Sequence, residues 1–112
     1  MSFFESEVVR AEMAEISELQ EDVYKNVFSF QSMTKEEKVK HVELLQRLLD
    51  KQKVLYTRLS LSDDPEAVDM KSRILMSTQM MGLPENIDMN IIFSNMNALV
   101  ESMKEQIEKE EE

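Results

Sequence analysis

The stretch Thr34–Lys35–Glu36–Glu37–Lys38–Val39–Lys40–His41–Val42–Glu43–Leu44–Leu45, running on through Leu48–Leu49 and Leu55 to Leu59–Ser60, decides the fold. It opens on a capping box: a Thr hydroxyl bonds the amide three residues on, and Glu37 reaches back. Its apolar positions Val39, Val42, Leu45, Leu48 or Leu49, Leu55 and Leu59 keep a helical spacing. The adjacent Leu44–Leu45 and Leu48–Leu49 pairs widen the stripe enough to touch two neighbours, which predicts a central helix over 35–60. Gln52 interrupts the stripe, either as a register-setting polar residue or at the margin of the face.

Outward from this helix, two further starts are legible. Asp63–Asp64–Pro65–Glu66 places a proline in a first helical turn, where its missing N–H costs nothing. Ile87–Asp88–Met89–Asn90 brackets an Asp N-cap with Ile87 and Ile92, the spacing of a hydrophobic staple. Gly82 is the only glycine of the chain and sits where a left-handed C′ residue is wanted, with Leu83 as its apolar follower and Pro84 barring continuation. Before the central helix, Val9, Met13, Ile16, Leu19, Val23 and Val27 form one stripe. Four helices are predicted, over about 4–28, 35–60, 65–81 and 89–109.

The expected fold is therefore all-α: a single-domain, antiparallel, bundle-like arrangement of four helices whose shorter third helix crosses or caps the others. Its predicted core is Val9, Ile16, Leu19, Val23, Val42, Leu45, Leu49, Leu55, Ile74, Ile92, Met96, Leu99 and Met103, with Val100 an alternative to Leu99 on the fourth helix. Phe28, Phe30 and Met33 form an apolar connection between the first two helices, tucked under the bundle or standing out as a docking knob. The acidic end, Glu108–Lys109–Glu110–Glu111–Glu112, is expected to fray. Long stripes in so small a chain exceed what one core covers, which makes a homodimer a further expectation.

Composition narrows the functional classes. One glycine and two prolines in 112 residues argue against a turn-rich β fold. Zero cysteines exclude disulfides, thiolate metal sites and a thiol nucleophile, which suits a reducing cytoplasm. No apolar run approaches the roughly 18 residues of a membrane span, and the acidic start does not resemble a secretory signal. The helices also lack the basic polar faces that anionic lipids favour.

The net charge of −10 is uneven: −5 over residues 1–28, +3 over 34–60, −2 over 61–83 and −6 over 84–112. The cationic second helix either eases repulsion between acidic neighbours or meets an acidic partner. Overall acidity argues against direct nucleic-acid binding, which needs a basic footprint.

Catalytic signals are weak, and no catalytic, cofactor or metal residue is assigned. His41 is the only histidine, and with Glu37 at i−4 it lacks the paired Glu-x-x-His motifs of a di-metal bundle. It reads as a solvated surface side chain. No serine lies in a nucleophile elbow, and one glycine cannot build a phosphate-cradling loop.

The methionines say more. Seven of the ten fall between residues 70 and 103. Met side chains are plastic, suiting either an adaptable core or a binding surface. Met96 and Met103 follow a buried stripe, whereas Met76, Met80 and Met89 do not share one.

The segments Phe3–Phe4–Glu5–Ser6–Glu7–Val8–Val9, Leu59–Ser60–Leu61–Ser62–Asp63, Met81–Gly82–Leu83–Pro84 and Phe93–Ser94–Asn95–Met96–Asn97, followed by Leu99, Met103 and Lys104, occur in that order over nearly the whole chain. In this the chain resembles a family of short all-helical proteins, without an assigned activity, from cyanobacteria and the phages that infect them. The resemblance lies nearer to the phage copies. It implies an all-α fold and transfers no catalytic residue.

The functional expectation is a non-enzymatic protein–protein interaction module, in a phage setting a modulator of a host complex. It would dock through a Met/Phe-rich patch rimmed by acid, with Phe28, Phe30, Met80, Met81, Leu83 and Phe93 as the protein-binding residues. The alternative is an acidic decoy occupying the nucleic-acid groove of another protein, and salt dependence separates the two. A small enzyme using Glu37 or His41 is a third and weaker reading.

Overall fold

The computed structural model describes residues 2–80, 82–83 and 88–110. Four α-helices dominate them: α1, Glu7–Asn26; α2, Lys35–Leu61; α3, Pro65–Met80; and α4, Met89–Glu108. Two 3-10 segments, Phe3–Glu5 and Val27–Ser32, flank α1, so the first helix is shorter at both ends than the predicted 4–28. At its start Ser6 is extended (φ −61°, ψ 132°), which breaks the helix before Glu7. After Asn26 the hydroxyls of Ser29 and Ser32 donate to the carbonyls three residues earlier, supporting the tighter turn.

The punctuation works as its chemistry requires. The Thr34 hydroxyl accepts from the Glu37 amide at 3.2 Å, and it donates to the Glu37 carboxylate at 3.3 Å. The carboxylate thus returns to the hydroxyl of the capping residue. Asp64 Oδ1 accepts from the Glu66 amide at 2.9 Å, and Asp88 Oδ1 from the Asn90 amide at 2.9 Å. Ile87 of the expected staple lies outside the described residues. At the end of α3, Gly82 takes φ +92°. Its amide reaches the Gln79 carbonyl at 2.9 Å and the Leu83 amide reaches Thr78 at 3.1 Å, closing the helix through a left-handed C-cap.

α2 is the central element. Its 27 residues span ~40 Å, and it lies antiparallel to both α1 and α4. Arg58 and Lys51 pair with Glu12 and Glu15 of α1 at 3.1 and 2.8 Å. On the other side Gln46 donates to Asn97 at 2.9 Å and Lys38 pairs with Glu110 at 2.9 Å. The surplus positive charge of α2 is thus partly matched by the acidic elements beside it. Lys51 also holds the Glu15 carboxyl below its ordinary range, through its hydrogen bond and its charge.

Among the described residues α1 and α4 share no extended contact; each packs on its own flank of α2. The result is an open layer rather than a closed bundle. Its dimensions are 52 × 33 × 19 Å, and its radius of gyration of 16.3 Å exceeds the ~13 Å of a compact chain of this length. The principal core cluster joins Val42 and Leu49 of α2 to Met89, Phe93, Val100 and Ile107 of α4. Val9, Ile16, Leu19 and Val23 of α1 are buried as predicted.

Openness accounts for two errors in the predicted core. Met96 and Leu99 are exposed, Leu99 at 67%. α4 carries two adjacent apolar stripes, and α2 covers the one formed by Met89, Phe93, Val100 and Ile107. α1 packs on α2 without extended contact to α4, so among the described residues Ile92 and Met103 of the second stripe are half-buried against the core while Met96 and Leu99 stay exposed.

His41 corrects the sequence reading in the opposite direction. It is 5% exposed, with its ring 5.3 Å from that of Phe30 and a buried Nδ1 that has no hydrogen-bond partner. Burial pushes its pKa below the ordinary histidine value. The 3-10 segment after α1 carries Phe30 onto this part of α2, a tertiary effect that the local spacing of His41 does not encode.

Candidate docking cleft

The N-terminal 3-10 turn, α2, α3 and α4 meet around an apolar cleft of about 370 Å³. Phe3 and Phe4 supply one wall, their rings edge-to-face at 5.1 Å. Gln52, Leu55, Tyr56 and Leu59 come from α2, Met70 and Ile74 from α3, and Met89, Ile92, Phe93 and Met96 from α4, with Ile16 of α1 at the edge. The wide stripe of α2 produces this convergence: one helix face cannot be saturated by either neighbour alone. Gln52 is the one amide in an otherwise apolar or aromatic lining, so it faces the cleft instead of setting register in a closed seam.

The cleft's wall is held by polar contacts behind it. Asp64, between α2 and α3, accepts from the Phe3 amide at 2.6 Å, and Ser62 Oγ accepts from the Asp64 amide at 3.1 Å. At the floor, the Tyr56 and Phe93 rings lie 5.9 Å apart with planes inclined by 57°. Such tilted aromatic contacts stabilise beyond the area they bury. This surface can receive large apolar side chains while offering few hydrogen bonds. Among the described residues, no group of three or more His, Asp or Glu side chains is arranged to hold a metal ion.

The predicted protein-binding residues do not form one patch. Phe28 is 98% exposed in the α1–α2 connection, and Met80 is 87% exposed at the end of α3. Leu83 is exposed just beyond that helix, and Met81 lies outside the described residues. Phe30 instead turns inward toward the α2–α4 core, with Lys38 Nζ 5.6 Å from its ring centre. Phe93 is 7% exposed and belongs to the core and the cleft floor, not to an outward knob. Phe93 points inward because it shares the stripe of Met89, Val100 and Ile107.

The cleft residues overlooked in sequence are Phe3, Phe4, Tyr56 and Met70. The predicted helix over 4–28 absorbs Phe4 and leaves Phe3 just outside it, although Ser6, an N-cap residue type directly before Glu7, marks the break. Nothing local distinguishes Met70 from the other methionines, because its role depends on where α3 crosses α2.

No helix of the described residues is long and apolar enough to cross a membrane. Neither a curated protein nor a solved structure shows significant similarity to the chain. A family described as a domain of unknown function, DUF1825, matches residues 1–107. With nearly the full length matched, the chain belongs to the DUF1825 family.

Proposed function

We propose that the protein is a non-enzymatic helical interaction module that takes apolar side chains of another protein into the cleft between the Phe3–Phe4 turn, α2, α3 and α4. The carrying observation is the open apolar cleft itself, which the layered packing leaves uncovered. The chain's net charge of −10 favours a partner segment in which apolar anchors are flanked by basic residues. In the cyanobacterial and phage setting that the sequence resemblance implies, this partner belongs to a host protein assembly and the module acts in the host cytoplasm. Phe28 and Met80, both outside the cleft, are accessory contacts in this reading.

The test is capture from cyanobacterial lysate by tagged protein at low and high salt, with Met70→Glu as the cleft variant. A partner retained at high salt and lost with Met70→Glu supports cleft docking, provided the variant keeps the wild-type far-ultraviolet circular dichroism. The acidic decoy rests on net charge alone. A nucleic-acid-binding partner that leaves at high salt and is indifferent to Met70→Glu would favour it.

A further inference from the structure

We infer that the cleft is the closed end of a longer trough, and that its occupant is one amphipathic α-helix of the partner protein, about 14 residues long, lying lengthwise on α2 and α4. This deepens the docking reading above and rests on it.

The cleft does not stop at its own walls. Gln52 and Met96, which line it, also line a shallow groove shared with Leu45, Leu48, Leu99 and Val100. The two depressions are therefore one apolar trough, walled by α2 and α4 along its length. The Phe3–Phe4 turn and Met70 and Ile74 of α3 wall one end. From Leu45 to Leu59 the trough follows about four turns of α2, or ~21 Å at about 1.5 Å per residue. Its α2 lining, Leu45, Leu48, Gln52, Leu55 and Leu59, recurs at intervals of 3, 4, 3 and 4. That is the seam spacing into which the side chains of a second helix fit when the two axes run nearly alongside. Leu59 is buried at the walled end, whereas the other four are half-buried and leave the seam partly open.

What the trough lacks decides the form of its occupant. Residues 45–59 lie inside α2, where backbone amides and carbonyls bond within the helix. Gln52 and Tyr56 carry the only N–H or O–H groups among the described lining side chains. An extended segment laid here would bury backbone N–H and C=O groups with almost nothing to bond, at a cost for each. An α-helix satisfies its own backbone and presents only side chains. It is the occupant that this lining accepts.

Charge sets the polarity of that helix. No Asp, Glu, Lys or Arg is among the described lining residues. Glu5 and Asp88, the chain neighbours of the lining residues Phe4 and Met89, are exposed beside the walled end. In a chain of net charge −10, this favours a helix with apolar anchors on one face and Lys or Arg toward the end that enters the cleft.

The test uses two dye-labelled peptides of about 14 residues with the same Leu and Lys content. One is ordered with the helical period and the other alternates strictly, the period of a strand. Binding to the full chain is followed by fluorescence anisotropy at high salt, which suppresses purely charge-driven association. The helical-period peptide should bind at least about tenfold tighter than the alternating one. It should lose about tenfold in affinity with Met70→Glu in the cleft and again with Leu99→Glu in the groove. Leu99 is 67% exposed, so its replacement leaves the core intact. The added carboxylate attracts Lys, so weaker binding there reports the lost apolar contact. If Met70→Glu fails to fold, Leu99→Glu and the comparison of the two peptides decide. A loss confined to Met70→Glu, or alternating peptide bound as tightly as helical, would overturn the helix inference and leave cleft docking standing. Failure of the helical-period peptide to bind would do the same, with capture from lysate still judging the cleft. Binding indifferent to a folded Met70→Glu would overturn both.

Discussion

The Phe3 backbone N–H donates to Asp64 Oδ2 at 2.6 Å, while the other oxygen of the same carboxylate caps α3 through the Glu66 amide at 2.9 Å. One side chain therefore starts a helix and ties down a segment 61 residues away. The tie matters because Phe3 and Phe4 wall the cleft. Asp64→Ala should cost about 1–2 kcal/mol in urea unfolding, the range for a lost N-cap. Hydrogen exchange should show faster exchange at the Phe3 amide in the variant, whereas a purely local capping role would leave that amide unaffected.

Phe28 and Phe93 make opposite predictions from the same residue type. Phe93→Ala removes a ring from the α2–α4 core and should destabilise by about 3–5 kcal/mol. Phe28→Ala removes a ring that is 98% exposed and should stay within about 0.5 kcal/mol of wild type. Paired denaturant titrations measure both. Equal effects would contradict the inward placement of Phe93.

His41 should make stability depend on pH. Its folded-state pKa lies below 6.5 because burial penalises the charged ring, so the unfolded chain binds its proton first as the pH falls. This contribution is neutral above 6.5. Stability is then lost as the pH drops from 6.5 toward the lowered folded value, below which the loss levels off. His41→Leu should flatten this part of the stability profile, and thermal unfolding across the range, compared with wild type, is the measurement. A parallel slope in both proteins would place the histidine in solvent.

Gly82 should resist substitution for a conformational reason. A Cβ added there meets no atom within 4 Å, but the residue holds φ +92°. Gly82→Ala should therefore cost about 1–2 kcal/mol through backbone strain, without disturbing neighbouring side chains. A urea titration gives the magnitude. If the variant is as stable as wild type, the left-handed cap is not required to end α3.

The caps were legible in the chain because each is a contact between residues two to five apart. Thr34 with Glu37, Asp64 with Glu66, Asp88 with Asn90, and Leu83 with Thr78 need no knowledge of the rest of the molecule. The central place of α2 was legible too, since a stripe broadened by two Leu–Leu pairs demands two partners. These local chemistries and periodicities determined the four helices, their order and the buried face of α1.

Tertiary packing decided what periodicity left degenerate. α4 carries two apolar stripes of similar quality, and only the position of α1 on the far flank of α2 leaves Met96 and Leu99 uncovered while Phe93 and Val100 are buried. His41 is buried because Phe30 arrives over it from another element. One wall of the cleft, Phe3 and Phe4, is tied to the α2–α3 connection by the Phe3–Asp64 hydrogen bond across 61 residues. A short-range contact is specified by the few residues that make it. Which of two equivalent faces is buried depends on the arrangement of the other helices, and only the folded chain supplies that.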